Sequence, residues 1–151
     1  MALIIKNSAG FVLDQAGIEL PATVATAFAV GDALQRDTAN LYLERAVAAA
    51  APSDADTGLF GISMSIKAAA TALAKVVPFI VGMLLEVDLA NNSSASHTLQ
   101  RMVLTDHDTV NNNGTDSTAN EGVFLQVAPI GAAADKKALV MFVGSQGQVN
   151  A

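Results

Sequence analysis

Ile62-Ser63-Met64-Ser65-Ile66-Lys67 alternates apolar and polar side chains without a break. Successive side chains of a strand point to opposite faces, so this run predicts a half-buried β-strand; an amphipathic helix would repeat its apolar positions every three or four residues. Gly58 and Gly61 punctuate its approach. On its C-terminal side, residues 67–77 are alanine-rich, with Leu73, Val76 and Val77 at nearly helical spacing and Pro78 placed to stop a helix. The alternative is a loop over the alanines followed by a buried strand over residues 75–81, since a short apolar run cannot be assigned by periodicity alone. The strand is the favoured reading, and at most one short helix is expected.

The same alternation recurs in both directions. Val24, Thr26, Phe28 and Val30 alternate with small residues and run into the turn signal Gly31-Asp32, and residues 41–47 follow a polar stretch over residues 36–40, so the pair reads as a hairpin or meander step. Met83, Leu85, Val87 and Leu89 alternate with Leu84, Glu86 and Asp88, and a β-like pattern resumes over residues 100–105 beyond the polar loop 91–96, which predicts a second hairpin. Residues 122–128 and 138–143 read as two closing strands separated by Pro129, Gly131 and the Ala-Asp-Lys-Lys turn. The expected fold is mainly β: a small barrel or sandwich of seven or eight strands over residues 24–151. Residues 1–23, with Gly10, Gly17, Pro21 and only short apolar pieces, read as an extended N-terminal arm packing on a neighbour. Residues 106–121 read as a long loop.

Composition narrows the function classes. The 151 residues fit one domain-sized core. Without cysteine there is no disulfide, thiolate metal site or cysteine nucleophile. A net charge of −6, with only Lys136 and Lys137 adjacent among the basic residues, offers no footprint for a phosphate backbone, so no nucleic-acid partner is expected. The longest apolar run, residues 76–85, contains Pro78 and Gly82 and is far shorter than the roughly 20 residues that span a bilayer. No membrane partner is expected, and the opening residues lack a signal-peptide pattern. Charged residues are only 15%, which suits a surface partly covered by partners.

The chemistry-bearing residues form few constellations. Asp106-His107-Asp108 offers carboxylate and imidazole ligands, but alternation along a strand sends neighbours to opposite faces, so the triplet reads as a solvated loop start unless a turn intervenes. An EF-hand beginning at Asp106 fails, because Val110, Asn111 and Ser117 stand where an oxygen ligand, a glycine and a closing Glu are needed. An irregular calcium site from Asp106, Asp108 and Asp116 is the minor alternative to an exposed turn. His97 and His107 are the only histidines, and no Gly-x-Ser-x-Gly elbow accompanies them. Glu86 and Asp88 share one strand face and read as its polar side. No phosphate-binding glycine loop occurs. Asn91, Asn92 and Asn113 open glycosylation sequons that read as chance matches. No catalytic, cofactor-binding or metal residues are expected.

The order of short pieces carries a resemblance: Val30-Gly31-Asp32-Ala33-Leu34, Gly58-Leu59-Phe60-Gly61-Ile62, Lys75-Val76-Val77-Pro78-Phe79-Ile80, Leu85-Glu86-Val87-Asp88-Leu89, Leu104-Thr105-Asp106, the Asn-rich loop over residues 110–116, Gly122-Val123-Phe124, and Asp135-Lys136-Lys137-Ala138-Leu139-Val140-Met141-Phe142-Val143. Between about residues 24 and 143 the chain resembles the head decoration, or cement, proteins of tailed bacteriophages. The resemblance implies a non-enzymatic virion protein, made in the host bacterial cytoplasm, that binds the exterior of the major capsid protein lattice as a homo-oligomer, with a trimer favoured over a dimer. The alternatives are another phage structural component, such as a tail or fibre part, and a metal- or carbohydrate-binding β-module.

Overall fold

A computed structural model describes residues 3–7, 17–37, 42–46, 59–112 and 123–144. Among these residues the regular structure is almost entirely strand: β1 (Ile4–Asn7), β2 (Ile18–Pro21), β3 (Ala33–Arg36), β4 (Leu43–Arg45), β5 (Leu59–Ser63), β6 (Leu73–Pro78), β7 (Leu84–Leu89), β8 (Arg101–Asp106), β9 (Thr109–Asn111), β10 (Phe124–Ile130) and β11 (Lys137–Phe142). Two single 3₁₀ turns, Ala95–His97 and Ala133–Asp135, complete it.

The strands form two sheets, and each closes on itself. In the first the order is β1-β7-β11-β10-β8-β9, and β9 returns to β7 in parallel through Asp88↔Thr109 and Leu89↔Val110. Five strands thus complete a ring, with β1 lying antiparallel along the first part of β7. The second sheet runs β2-β6-β5-β3-β4, and a parallel bridge from Ala22 to Leu43 joins its two ends. Closure removes the free edges at which strands pair indiscriminately.

Alternation explains the first core. Leu85, Val87 and Leu89 of β7, Met102 and Leu104 of β8, Val110 of β9, Phe124 of β10, and Ala138, Val140 and Phe142 of β11 are buried in one cluster. Each strand therefore gives every second side chain to the interior, as a closed ring requires. The second cluster consists of Ala22, Phe28, Leu34, Leu43, Ala74 and Val76. Ala33, Ile62 and Val77 of the second sheet belong to the first cluster, so this sheet is apolar on both faces and the two units share a seam. Phe79, just beyond β6, stacks on Phe142 with centroids 4.8 Å apart and meets Phe124 edge-on at 5.8 Å, within the range in which aromatic pairs attract.

The expected mainly β barrel or sandwich is therefore the fold, with differences in detail. The ambiguous segment 67–77 resolves as loop followed by strand, β6, which starts at Leu73 and stops at Pro78. Residues 24–30 are not a strand: only Phe28 bridges, to Lys67, while Val24 and Val30 stay exposed. The hairpin expected there is displaced, with β3 pairing to β4. The second expected hairpin does not form, because β9 and β11 flank β7 while β8 pairs with β9 and β10. Within residues 1–23, β1 and β2 pair with β7 and β6 of the same chain. The alternation at residues 62–67 outlasts its strand: Ile62 is buried, Met64 half-buried and Ile66 82% exposed.

Candidate functional site

The described residues bring chemically useful groups together at the junction of the two rings. β8 ends at Asp106, residues 107–108 turn, and β9 begins at Thr109. Asp106 Oδ1 accepts the adjacent His107 backbone N–H at 2.7 Å. The same oxygen lies 2.6 Å from His107 Nδ1. From the second unit Asp32 and Arg45 approach the other ring nitrogen: Asp32 Oδ1 is 3.8 Å and Arg45 Nη1 3.4 Å from His107 Nε2. The backbone adds a further tie, since Ala33 N–H donates to His107 O at 2.6 Å.

The Asp106 carboxyl is held below the usual carboxylate range, first by the His107 backbone N–H and then by the imidazole, against an opposing effect of burial and with the least contribution from the charge of Arg45. Asp32 is buried; its Oδ2 accepts the Ala29 N–H at 2.8 Å across a turn in which Gly31 takes φ +91°. Glycine adopts that left-handed backbone without a steric penalty. The neighbouring cleft, about 270 Å³, is lined by Thr26, Glu44, Arg45, Ala46, Asp106 and His107.

This arrangement suits a latch better than a reaction. With Nδ1–H donated to Asp106, Nε2 presents a lone pair, and the Arg45 guanidinium stands where a substrate proton would have to sit for general-base chemistry. The turn supplies what alternation along a strand withholds: ligand atoms of Asp106, His107 and Asp108 all lie within 4.8 Å of one another. Asp108 Oδ1 also accepts the Thr109 hydroxyl at 2.9 Å. Asp116 and Asn113 lie outside the described residues. His97 is in the Ala95–His97 turn and is not a member of this cluster. Glu86 belongs to a different group, paired with Lys6 at 2.9 Å and Lys137 at 3.5 Å across β1, β7 and β11.

Asp32 and Arg45 carried no functional signal in the sequence beyond the Gly31-Asp32 turn, since their roles depend on tertiary contacts. Two buried amides were also missed. Asn112 donates from Nδ2 to Asn91 O and Asn92 O at 3.2 and 2.9 Å and accepts the Asn91 N–H at 2.9 Å, while Gln126 donates to Ser94 O at 2.7 Å. Together they pin the polar loop following β7.

Fold and site define a mainly β protein of two closed strand rings latched by an aspartate–histidine–arginine cluster. No protein-family model, curated protein or solved structure matches the chain.

Proposed function

We propose that this chain is a non-enzymatic virion structural protein that binds the outer surface of a phage capsid lattice and stabilises it. The observation that carries the reading is the fold: the resemblance to head decoration proteins implies a small β-barrel or sandwich, and the described residues form closed β-sheets with only two 3₁₀ turns between them. A latch in place of an open reaction centre at the ring junction supports a structural role.

A partly covered surface also fits. Ile4 and Val30 are 45% and 51% exposed, and they line an apolar groove of about 260 Å³ with Leu3, Ile5, Ile62 and Met64. The major capsid protein is the proposed partner and the assembled form a homo-oligomer, a trimer before a dimer, on the virion exterior after synthesis in the bacterial cytoplasm. Neither nucleic acid nor membrane takes part. The mechanism is mass action: a ligand that binds the assembled lattice and not its separated subunits stabilises the lattice by its binding free energy, summed over many symmetric copies.

Light scattering and co-sedimentation with capsids lacking this protein test the reading. A small oligomer that pellets with capsids at a fixed ratio and raises their melting temperature is the expected outcome; a monomer that stays in the supernatant and leaves the melting temperature unchanged refutes it. The second reading is a metal-binding β-module, favoured by the convergence of Asp106, His107 and Asp108. An imidazole with carboxylates suits zinc or manganese. Calorimetric titration with either ion, giving saturable heat that disappears in Asp108→Asn, would support it.

A further inference from the structure

Three buried polar atoms find no hydrogen-bond partner among the described residues: Ser93 Oγ, His97 Nδ1 and Gln126 Oε1. The residues that carry them meet around one backbone carbonyl. The Ser94 carbonyl accepts both Gln126 Nε2–H at 2.7 Å and the His97 backbone N–H at 3.2 Å, so the Gln126 carboxamide and the start of His97 meet at one oxygen, and Ser93 is the preceding residue. Ser93 and Gln126 are 5% and 0% exposed. Reversing the Gln126 amide does not help, because its oxygen would then face the Ser94 carbonyl.

We propose that Ser93, His97 and Gln126 form a binding site for one internal water molecule beneath the 91–100 loop. The chemistry matches a single water: it donates to Gln126 Oε1 and to the His97 Nδ1 lone pair and accepts the Ser93 hydroxyl proton. Internal waters typically make about three such bonds to otherwise unpaired buried groups. The site has a mechanical role. The backbone of Gln126 already grips the end of the loop, accepting the Leu99 N–H at 2.8 Å and donating to Gln100 O at 3.0 Å. Leu99 is thereby held at φ +65°, a left-handed backbone that a bulky residue rarely adopts, with its side chain 72% exposed. The water completes the anchorage at the other end of the same loop. This site does not depend on what the protein binds.

The test is a high-resolution crystal structure of the unaltered protein, together with oxygen-17 water relaxation dispersion on that protein and on Ser93→Ala and Gln126→Met. The proposal requires a density peak within hydrogen-bond distance of all three atoms, and a long-lived water contribution that falls by one molecule in each folded variant. An empty position, or a partner side chain filling it, overturns the proposal, as does a dispersion amplitude unchanged in both variants. The crystal result does not depend on either variant folding.

Discussion

Lys67 is 2% exposed: its ammonium donates to Thr26 O at 2.6 Å and Ala68 O at 3.1 Å and sits 4.8 Å from the centre of the Phe28 ring. Burial pushes its pKa down, since water no longer solvates the charge. What the side chain supplies is therefore a pair of charged hydrogen bonds and an aliphatic stem against the second core. Lys67→Met keeps the stem but takes the ammonium donor from Thr26 O, while Ala68 O keeps the Thr71 N–H at 3.0 Å, so it is expected to cost about 1–2 kcal/mol; Lys67→Ala also loses the packing and is expected to cost about 3 kcal/mol. Urea denaturation of the two variants checks the order. At Glu86 the side-chain bond from Lys6, with a lesser contribution from Lys137, holds the carboxyl below its ordinary value. A depressed folded-state pKa means that the unfolded chain takes up the proton first as pH falls. The pair's contribution is thus complete above the unfolded value of about 4.3 and lost as pH drops through the lower folded value. Glu86→Gln is expected to flatten the acid side of the stability profile, measured as the urea midpoint across that window, while Asp106 maintains part of the slope in the same sense.

At the scale of elements, Gly61 decides how closely two strands approach. It faces Leu34 of β3 and Pro78 of β6, and a Cβ there would collide with the Val77 carbonyl and come within 2.8 Å of Val76 Cγ2. Because the obstruction is backbone, Gly61→Ala must part β5 from β6, and a loss of about 2–3 kcal/mol is expected by thermal or urea unfolding, with Gly61→Ser at least as harmful. The alternating run over residues 62–67 overlaps β5 only at Ile62 and Ser63, and the sequence placed Gly61 before the strand when it lies inside. The strands β7, β8, β10 and β11 were legible because each has one face inside a ring. The missed or misplaced elements each lack that asymmetry. In β3, Ala33, Leu34 and Gln35 are all buried, so no alternation exists to be read. In β9 a single apolar residue, Val110, stands within a polar stretch, and three residues suffice because the neighbouring strands supply the rest of the ring. Residues 24–30 carry the alternation, but only Phe28 has a core to enter. The Asp106-His107-Asp108 triplet was visible as a set of ligand types; its convergence was not, because that follows from the turn at residues 107–108 and from Asp32 and Arg45, distant in the chain.

Across the whole molecule, two rings with largely separate interiors are coupled by a thin seam: Ala33, Ile62 and Val77 on one side, the triad of Phe79, Phe124 and Phe142, and the His107 latch. Cooperativity depends on whether the free energy held in that seam exceeds the cost of opening one ring alone. Phe79 is half-buried yet touches both rings of the first unit's aromatic pair, so it carries much of the coupling. Tyr42 gives a local view, because the chain has one tyrosine and no tryptophan, and Tyr42 immediately precedes β4 of the second sheet. Far-UV circular dichroism reports both units. In the unaltered protein the two signals are expected to trace one transition with a common midpoint, the usual test of two-state unfolding. Phe79→Ala is expected to lower stability by about 2 kcal/mol and to separate the curves, with Tyr42 fluorescence moving at lower denaturant than the dichroism. Coincident curves in the variant would locate the coupling in the His107 latch, and His107→Ala would then be the substitution that separates them. With both rings unfolding as one, a contact made by either ring draws on the stability of the whole chain, and binding a partner at one face protects the other.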